Sequence, residues 1–235
     1  MRSLSVLLAA LLFAGCAQPA SPAAEVAACR LPEQVAPAPS YRPRAEEIVR
    51  DVPTALYMLA LTWAPEICRT RGEDPDNAVQ CKTNDFGFVL HGLWPNGAER
   101  RHPRYCGPAP KLSAETVREH LCMTPSAEML QHEWAAHGTC GWDSPDAYFD
   151  QAAKLWDGLK RPALTGQTMT AGEIRDAFKA ANPWVARDGI YIKAASGNWL
   201  EDVRLCYDLQ YRPMACRGVG APDHVVLRLA PRRTP

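Results

Sequence analysis

No apolar run in this chain is long enough to cross a bilayer as a helix. The longest, over 4–15, falls short of the roughly 20 residues a span needs. Behind Met1-Arg2 it reads as a secretory signal, so the protein is expected to be exported. Net charge is missing too: 26 basic residues face 26 acidic ones, and loss of Arg2 with the signal tips the balance by one toward acid. That excludes the global positive field with which some proteins grip polyanions, so a polyanion must be held by local groups. Internal repeats and heptads are absent, so no solenoid or coiled coil is read; a monomer is expected, and the absence of heptads itself does not decide the oligomeric state. Residues 17–45 have few large apolar side chains and much Pro, Ala, Ser and Gln, as in an extended tether. The remainder, 46–235, has enough apolar and aromatic residues for a single core.

Histidine is scarce, six in all, and three of the six fall in two short segments. These are Phe88-Val89-Leu90-His91-Gly92-Leu93-Trp94-Pro95 and His132-Glu133-Trp134-Ala135-Ala136-His137-Gly138-Thr139-Cys140. Histidine alone has an unperturbed pKa near enough to neutrality to give and take protons within one turnover, so the pair suggests acid–base chemistry. A zinc site reads poorly from the second segment. Its histidines are five apart, about 140° around a regular helix, whereas the metalloprotease spacing of four puts both on one face. Glu133 and His137 are four apart, which would set the carboxylate beside the imidazole and hold it charged. No metal or other cofactor is expected.

Both segments resemble the active-site segments of the ribonuclease T2 family. The first resembles its Phe-x-x-His-Gly-Leu-Trp-Pro pattern throughout; the second resembles His-Glu-Trp-x-Lys-His-Gly-Thr-Cys at every fixed position but one. Leu61-Thr62-Trp63-Ala64-Pro65 followed by Cys68, and Arg204-Leu205-Cys206-Tyr207-Asp208, are similar to further family segments, so the likeness spans roughly 54–216. The resemblance implies a metal-independent endoribonuclease that cleaves single-stranded RNA through a 2',3'-cyclic phosphate with little base selectivity. It also implies roles: His137 as base and His91 as acid in the first step, His132 on a phosphate oxygen, Glu133 acting in the transition state, and Trp94 and Asn96 contacting substrate. The residues alone support two-histidine acid–base catalysis without choosing RNA.

Ala136 stands where the pattern has lysine. Loss of a donor to developing phosphate charge can cost about 10²–10³ in rate. Lys82, Arg100, Arg101, Arg104 and Lys111 are candidate replacements, and the run Arg100-Arg101-His102-Pro103-Arg104 is the best candidate for phosphate contacts. The competing reading is an RNA-binding or structural envelope homologue whose catalysis Ala136 has crippled. Trp134 is read as core, because Leu130, Trp134 and His137 share a helical stripe; His102, His120 and His224 are read as surface or structural.

Nine cysteines is an odd number for an exported chain. Leu12-Phe13-Ala14-Gly15-Cys16 resembles a bacterial lipoprotein processing site, with Cys16 as a lipidated first residue and membrane anchor; cleavage after Ala17 is the alternative. The protein is then periplasmic or an outer-membrane lipoprotein. Eight cysteines remain, and counting alone permits 105 pairings. The family resemblance implies Cys106 with Cys140, Cys206 with Cys216, Cys68 with Cys81 and Cys29 with Cys122.

Strands are expected over 55–63, 86–91 with His91 at its end, 189–193, 203–209 with Val203, Leu205, Tyr207 and Leu209 on one face, and 225–229. Helix starts are expected at Ser113, at Thr124-Pro125, at Ser144-Pro145 and at a Thr170/Glu173 capping box, with Gly138 ending the catalytic helix. Helices clustered between strands favour an α+β fold, a single disulfide-stabilised domain with an antiparallel central sheet flanked by several helices.

Overall fold

A computed structural model describes residues 28–232. The signal, Cys16 and the start of the tether lie outside the described residues. Among the described residues, no helix is long and apolar enough to cross a membrane.

Strand β1 (Leu56–Trp63) is buried almost throughout because it has neighbours on both sides, β2 (Phe88–Asn96) and β5 (Trp199–Tyr207), both antiparallel. Strand β4 (Ile190–Ala195) pairs with β5, and the short strands β3 (Thr168–Thr170) and β6 (Val226–Arg228) complete a sheet ordered β2-β1-β5-β6-β3. Helix α1 (Ala64–Arg71) follows β1 with Pro65 in its first turn. Helices α2 (Ala114–His120), α3 (Ala127–Ala136) and α4 (Pro145–Gly158) fill the stretch between β2 and β3, and α5 (Ala171–Ala181) that between β3 and β4. The fold is α+β. Leu59, Leu61, Leu93, Leu130, Ile174, Phe178 and Val203, each 0% exposed, weld sheet and helices into one core. Burying such side chains contributes about 1.5–3 kcal/mol each before conformational entropy is set against it.

Three of the four expected caps fall where the side chains predict them. Ser113 and Ser144 accept from the backbone N–H groups of Thr116 (3.1 Å) and Ala147 (3.2 Å), and Thr170 and Glu173 cap each other reciprocally. Three expectations need correction. Helix α3 starts two residues late, at Ser126, which accepts from Met129 N, because Thr124 instead donates to Leu90 O (2.9 Å) and ties the loop to β2. Strand β2 runs on to Asn96, since Leu93 to Asn96 pair with Leu59 to Leu56, so His91 lies mid-strand. Leu209 lies past the end of β5 and is 48% exposed, while Val203, Leu205 and Tyr207 are buried as their alternation requires. Strand β3, helix α1 and a π-helical turn, Val79–Thr83, had no sequence forecast.

Four disulfides form, Cys29–Cys122, Cys68–Cys81, Cys106–Cys140 and Cys206–Cys216, the pairing the resemblance implies. The described part of the Pro- and Ala-rich segment, 28–45, lies against the domain. Cys29 fastens it behind α2, Ala38 N donates to Leu112 O (3.3 Å), and Arg118 donates to the carbonyls of Pro32 and Glu33.

Candidate active site

The site begins with a defect in strand pairing. Ala60 faces Gly92 and Leu61 faces Leu90, so His91 has no residue opposite it. A bulge of this kind re-aims a side chain, and β2 can carry it, along with Pro95, because it is an edge strand. Gly92, next in line, is required by space. A Cβ there would lie 1.9 Å from Glu133 Oε2 and 2.9 Å from Trp94 Nε1. Gly92→Ala is therefore expected to expel the buried carboxylate and reduce kcat at least 10²-fold, roughly what one misplaced catalytic group costs, while far-ultraviolet circular dichroism stays native.

Helix α3 supplies the other half. His132 and Glu133 come from its second turn, and the helix stops at Ala136 because His137 leaves helical geometry (φ −123°, ψ −44°) while its N–H still caps Glu133 O at 3.0 Å. The turn that follows is tight: a Cβ on Gly138 would lie 2.3 Å from Trp134 Cε3. This exit brings His137 round to the cleft that His132 lines, although a regular helix would part them. His91, Trp94, Asn96, His132, Glu133 and His137 all line this cleft, together with His102, Arg104, Tyr191, Lys193 and Arg204. All six predicted catalytic and substrate-contact residues converge.

Glu133 sits at the centre, 1% exposed. Its Oε2 accepts from Trp94 Nε1 (2.7 Å), and its Oε1 lies 3.6 Å from His91 Nε2 and 4.0 Å from His132 Nε2 without a hydrogen-bond donor. Burial pushes its pKa up to about 7 against the opposing pull of His91 and the Trp94 bond. The expected Glu133–His137 pairing does not form, because the helix ends between them and the carboxylate turns toward His91.

On its far side His91 Nδ1 lies 3.2 Å from Thr62 Oγ1 and 3.8 Å from Asp202 Oδ1. Thr62 donates its hydroxyl hydrogen to Asp202 (2.8 Å), so it can only accept from His91, which fixes one proton on Nδ1 and leaves Nε2 as the exchangeable position facing the cleft. Burial alone would lower the pKa of His91, but Asp202 and Glu133 outweigh it and the pKa is raised. Burial would raise that of Asp202, yet His91 and Arg204 (2.7 Å) hold it well below the carboxylate range. His137 is displaced oppositely: burial first, then Arg104, lowers it well below the ordinary value. His132, with the edge contact of Tyr41 at 5.0 Å, is pushed down by burial and Arg104 to about 4.

Thr62, Asp202 and Arg204 were absent from the sequence forecast of site residues. The signal was the alternation of β5: with Val203, Leu205 and Tyr207 inward, Asp202 and Arg204 must share the opposite face. Trp94 takes Arg204 over its ring at 4.7 Å, and the Asn96 amide donates to Trp94 O (2.8 Å). Of the replacement cations, Lys82 pairs with Glu73 and Arg101 with Asp51, Arg100 and Lys111 are exposed, and Arg104 reaches the cleft. His120 is buried against Phe149, His224 is exposed, and His102 sits at the cleft rim, accepting from Gly97 N.

Comparison with known proteins defines the class. The Ribonuclease T2 family model matches residues 54–216, and the chain belongs to that family. A probable ribonuclease of Haemophilus influenzae is 33% identical over 177 residues, 70% of this chain and 62% of the relative. A ribonuclease of Aeromonas hydrophila is 37% identical over 99 residues, 42% of this chain and 43% of the relative. The chain thus spans less than two thirds of the length of these relatives. An RNase-related protein from Calystegia sepium has the same fold, with a TM-score of 0.62 at 21% identity over 77% of this chain and 99% of that one.

Proposed function

We propose that the protein is an endoribonuclease that cleaves single-stranded RNA by internal transesterification. The observation that carries the reading is two histidines on one cleft whose pKa values are driven apart, His91 upward and His137 downward. Shifts in these directions favour His91 as the acid with a proton to give and His137 as the unprotonated base, the division of labour the reaction requires. RNA supplies its own nucleophile. His137 takes the proton of the 2'-hydroxyl as the 2'-oxygen bonds to phosphorus; the bond from phosphorus to the 5'-oxygen breaks, and His91 Nε2 protonates the leaving oxygen. In the second step water attacks the 2',3'-cyclic phosphate with the roles exchanged, and the 2'-oxygen leaves as a hydroxyl beside a 3'-phosphate. His132, neutral at working pH, donates to a phosphate oxygen, and Glu133 holds the Nε2 side of His91. Trp94 and Asn96 contact the nucleotide at the cleft wall.

Digestion of single-stranded RNA by oxidised protein lacking residues 1–20, in EDTA, is expected to yield 2',3'-cyclic phosphate ends before 3'-phosphates. RNA bound without turnover would replace this reading with that of an RNA-binding homologue. Four disulfides support an oxidising, extracytoplasmic location. A lipid on Cys16 would anchor the enzyme to a membrane, and labelling with radioactive palmitate in cells, lost in Cys16→Ser, tests it.

A further inference from the structure

We propose that Arg104 is the cation that faces the negative charge developing on the scissile phosphate; this rests on the ribonuclease reading above. A phosphorane carries more charge than the diester from which it forms, and a positive group fixed in place beforehand stabilises it without reorganisation. Helix α3 cannot provide one, for it has no basic residue in its last turn, and Ala136 is 0% exposed beneath Tyr105, with Tyr41 and Ile48 packed on the same cluster. Three cations reach the cleft from elsewhere. Lys193 is committed to Glu201 (2.7 Å) and Arg204 to Asp202 (2.7 Å). Arg104 alone has no carboxylate within ion-pair distance among the described residues. Its one side-chain bond is a long contact to Tyr105 Oη (3.4 Å), and its buried Nε has no partner.

The chain holds this arginine firmly. Arg104 and Val49 exchange backbone hydrogen bonds at 2.8 and 2.9 Å. Tyr105 turns through left-handed geometry (φ 54°) and donates its N–H to Ala136 O (3.0 Å), and Cys106 is bonded to Cys140. The segment bearing Arg104 is thus stapled to the turn that aims His137, so the charge and the base move as one unit. The field of Arg104, which lines the same cleft, reaches His132, Glu133 and His137 and lowers the pKa of each.

With a dinucleoside phosphate as substrate, Arg104→Gln is expected to lose about 10²-fold in kcat with much less change in KM, the pattern of an interaction made in the transition state. Guanidinium ion added well below denaturing concentration is expected to restore part of the rate. Arg101→Gln, whose partner Asp51 lies outside the cleft, is expected to match the unsubstituted protein. A folded Arg104→Gln with unchanged kcat overturns the proposal. Arg104→Lys covers the case in which the glutamine variant does not fold: with diesters carrying sulfur at either non-bridging oxygen, the ratio of oxygen to sulfur rates must differ from that of the unsubstituted protein. Equal ratios at both positions overturn the proposal. If the unsubstituted protein cleaves nothing, the ribonuclease reading fails; if it cleaves and the Arg104 variants cleave alike, only this inference does.

Discussion

Alanine at His91 or at His137 is expected to reduce kcat by about 10²–10⁴-fold, the range that one positioned acid or base supplies. The double variant is expected to be little worse than the weaker single one, since the two act in one proton-transfer sequence. The pH dependence of kcat/KM gives the assignment. In the proposed mechanism the first step needs His137 unprotonated and His91 protonated. The lowered pKa of His137 sets the acid limb below the ordinary histidine value near 6.5, and the raised pKa of His91 sets the alkaline limb above it. The plateau should therefore span the ordinary histidine value, with one limb on each side of it. Asp202→Asn removes a carboxylate that raises His91, so its alkaline limb should move to lower pH while the acid limb stays. A shift of the acid limb instead would exchange the two roles. Far-ultraviolet circular dichroism on each variant separates lost chemistry from lost structure.

That His91, His132, Glu133 and His137 would gather at one site is legible in the sequence, because two short, dense segments carry them, and all four line one cleft. Their relative placement was not. Helical spacing put Glu133 beside His137 and turned His132 away, and each inference assumed that the helix continues; it stops at Ala136, where Gly138 must pack on Trp134. Sequence alone puts His91 at a strand end because nothing local shows that β2 pairs as far as Asn96 or slips one residue at Ala60 and Leu61. Register is a property of two strands, so one strand's sequence cannot state it. Asp202 and Arg204 lie far along the chain from His91 and meet it only because β5 pairs with β1. Arg104 was visible as one basic residue in a run of three; the bridge to Val49 and the bond from Cys106 to Cys140 single it out. The Ser and Thr caps of α2, α4 and α5 were readable because capping is settled within four residues.

Glu133→Gln is expected to lose at least about 10²-fold in kcat and yet to melt at a higher temperature than the natural protein at alkaline pH. The glutamine oxygen can still accept from Trp94 Nε1, but its NH₂ then faces His91 Nε2, which must accept rather than donate. The imidazole is held neutral and the acid of the first step is gone. The gain in stability follows from the same carboxylate. Its pKa is about 7 in the folded protein, against about 4.3 in an unfolded chain. The folded state therefore keeps a proton that the unfolded state has released, and ionised Glu133 costs stability that grows from about pH 4 to pH 7 and is constant above. The full cost is on the order of 4 kcal/mol, or roughly 7–15 °C in Tm for a domain of this size. Thermal melts at pH 4 and pH 8 check the sign: the variant should gain nothing at the lower pH and the full shift at the higher. Lost activity without the alkaline gain would mean that Glu133 is solvated in the free enzyme. Both results together would show that the protein gives up stability to keep an unpartnered carboxylate oxygen beside His91, with Gly92 preserving the space for it.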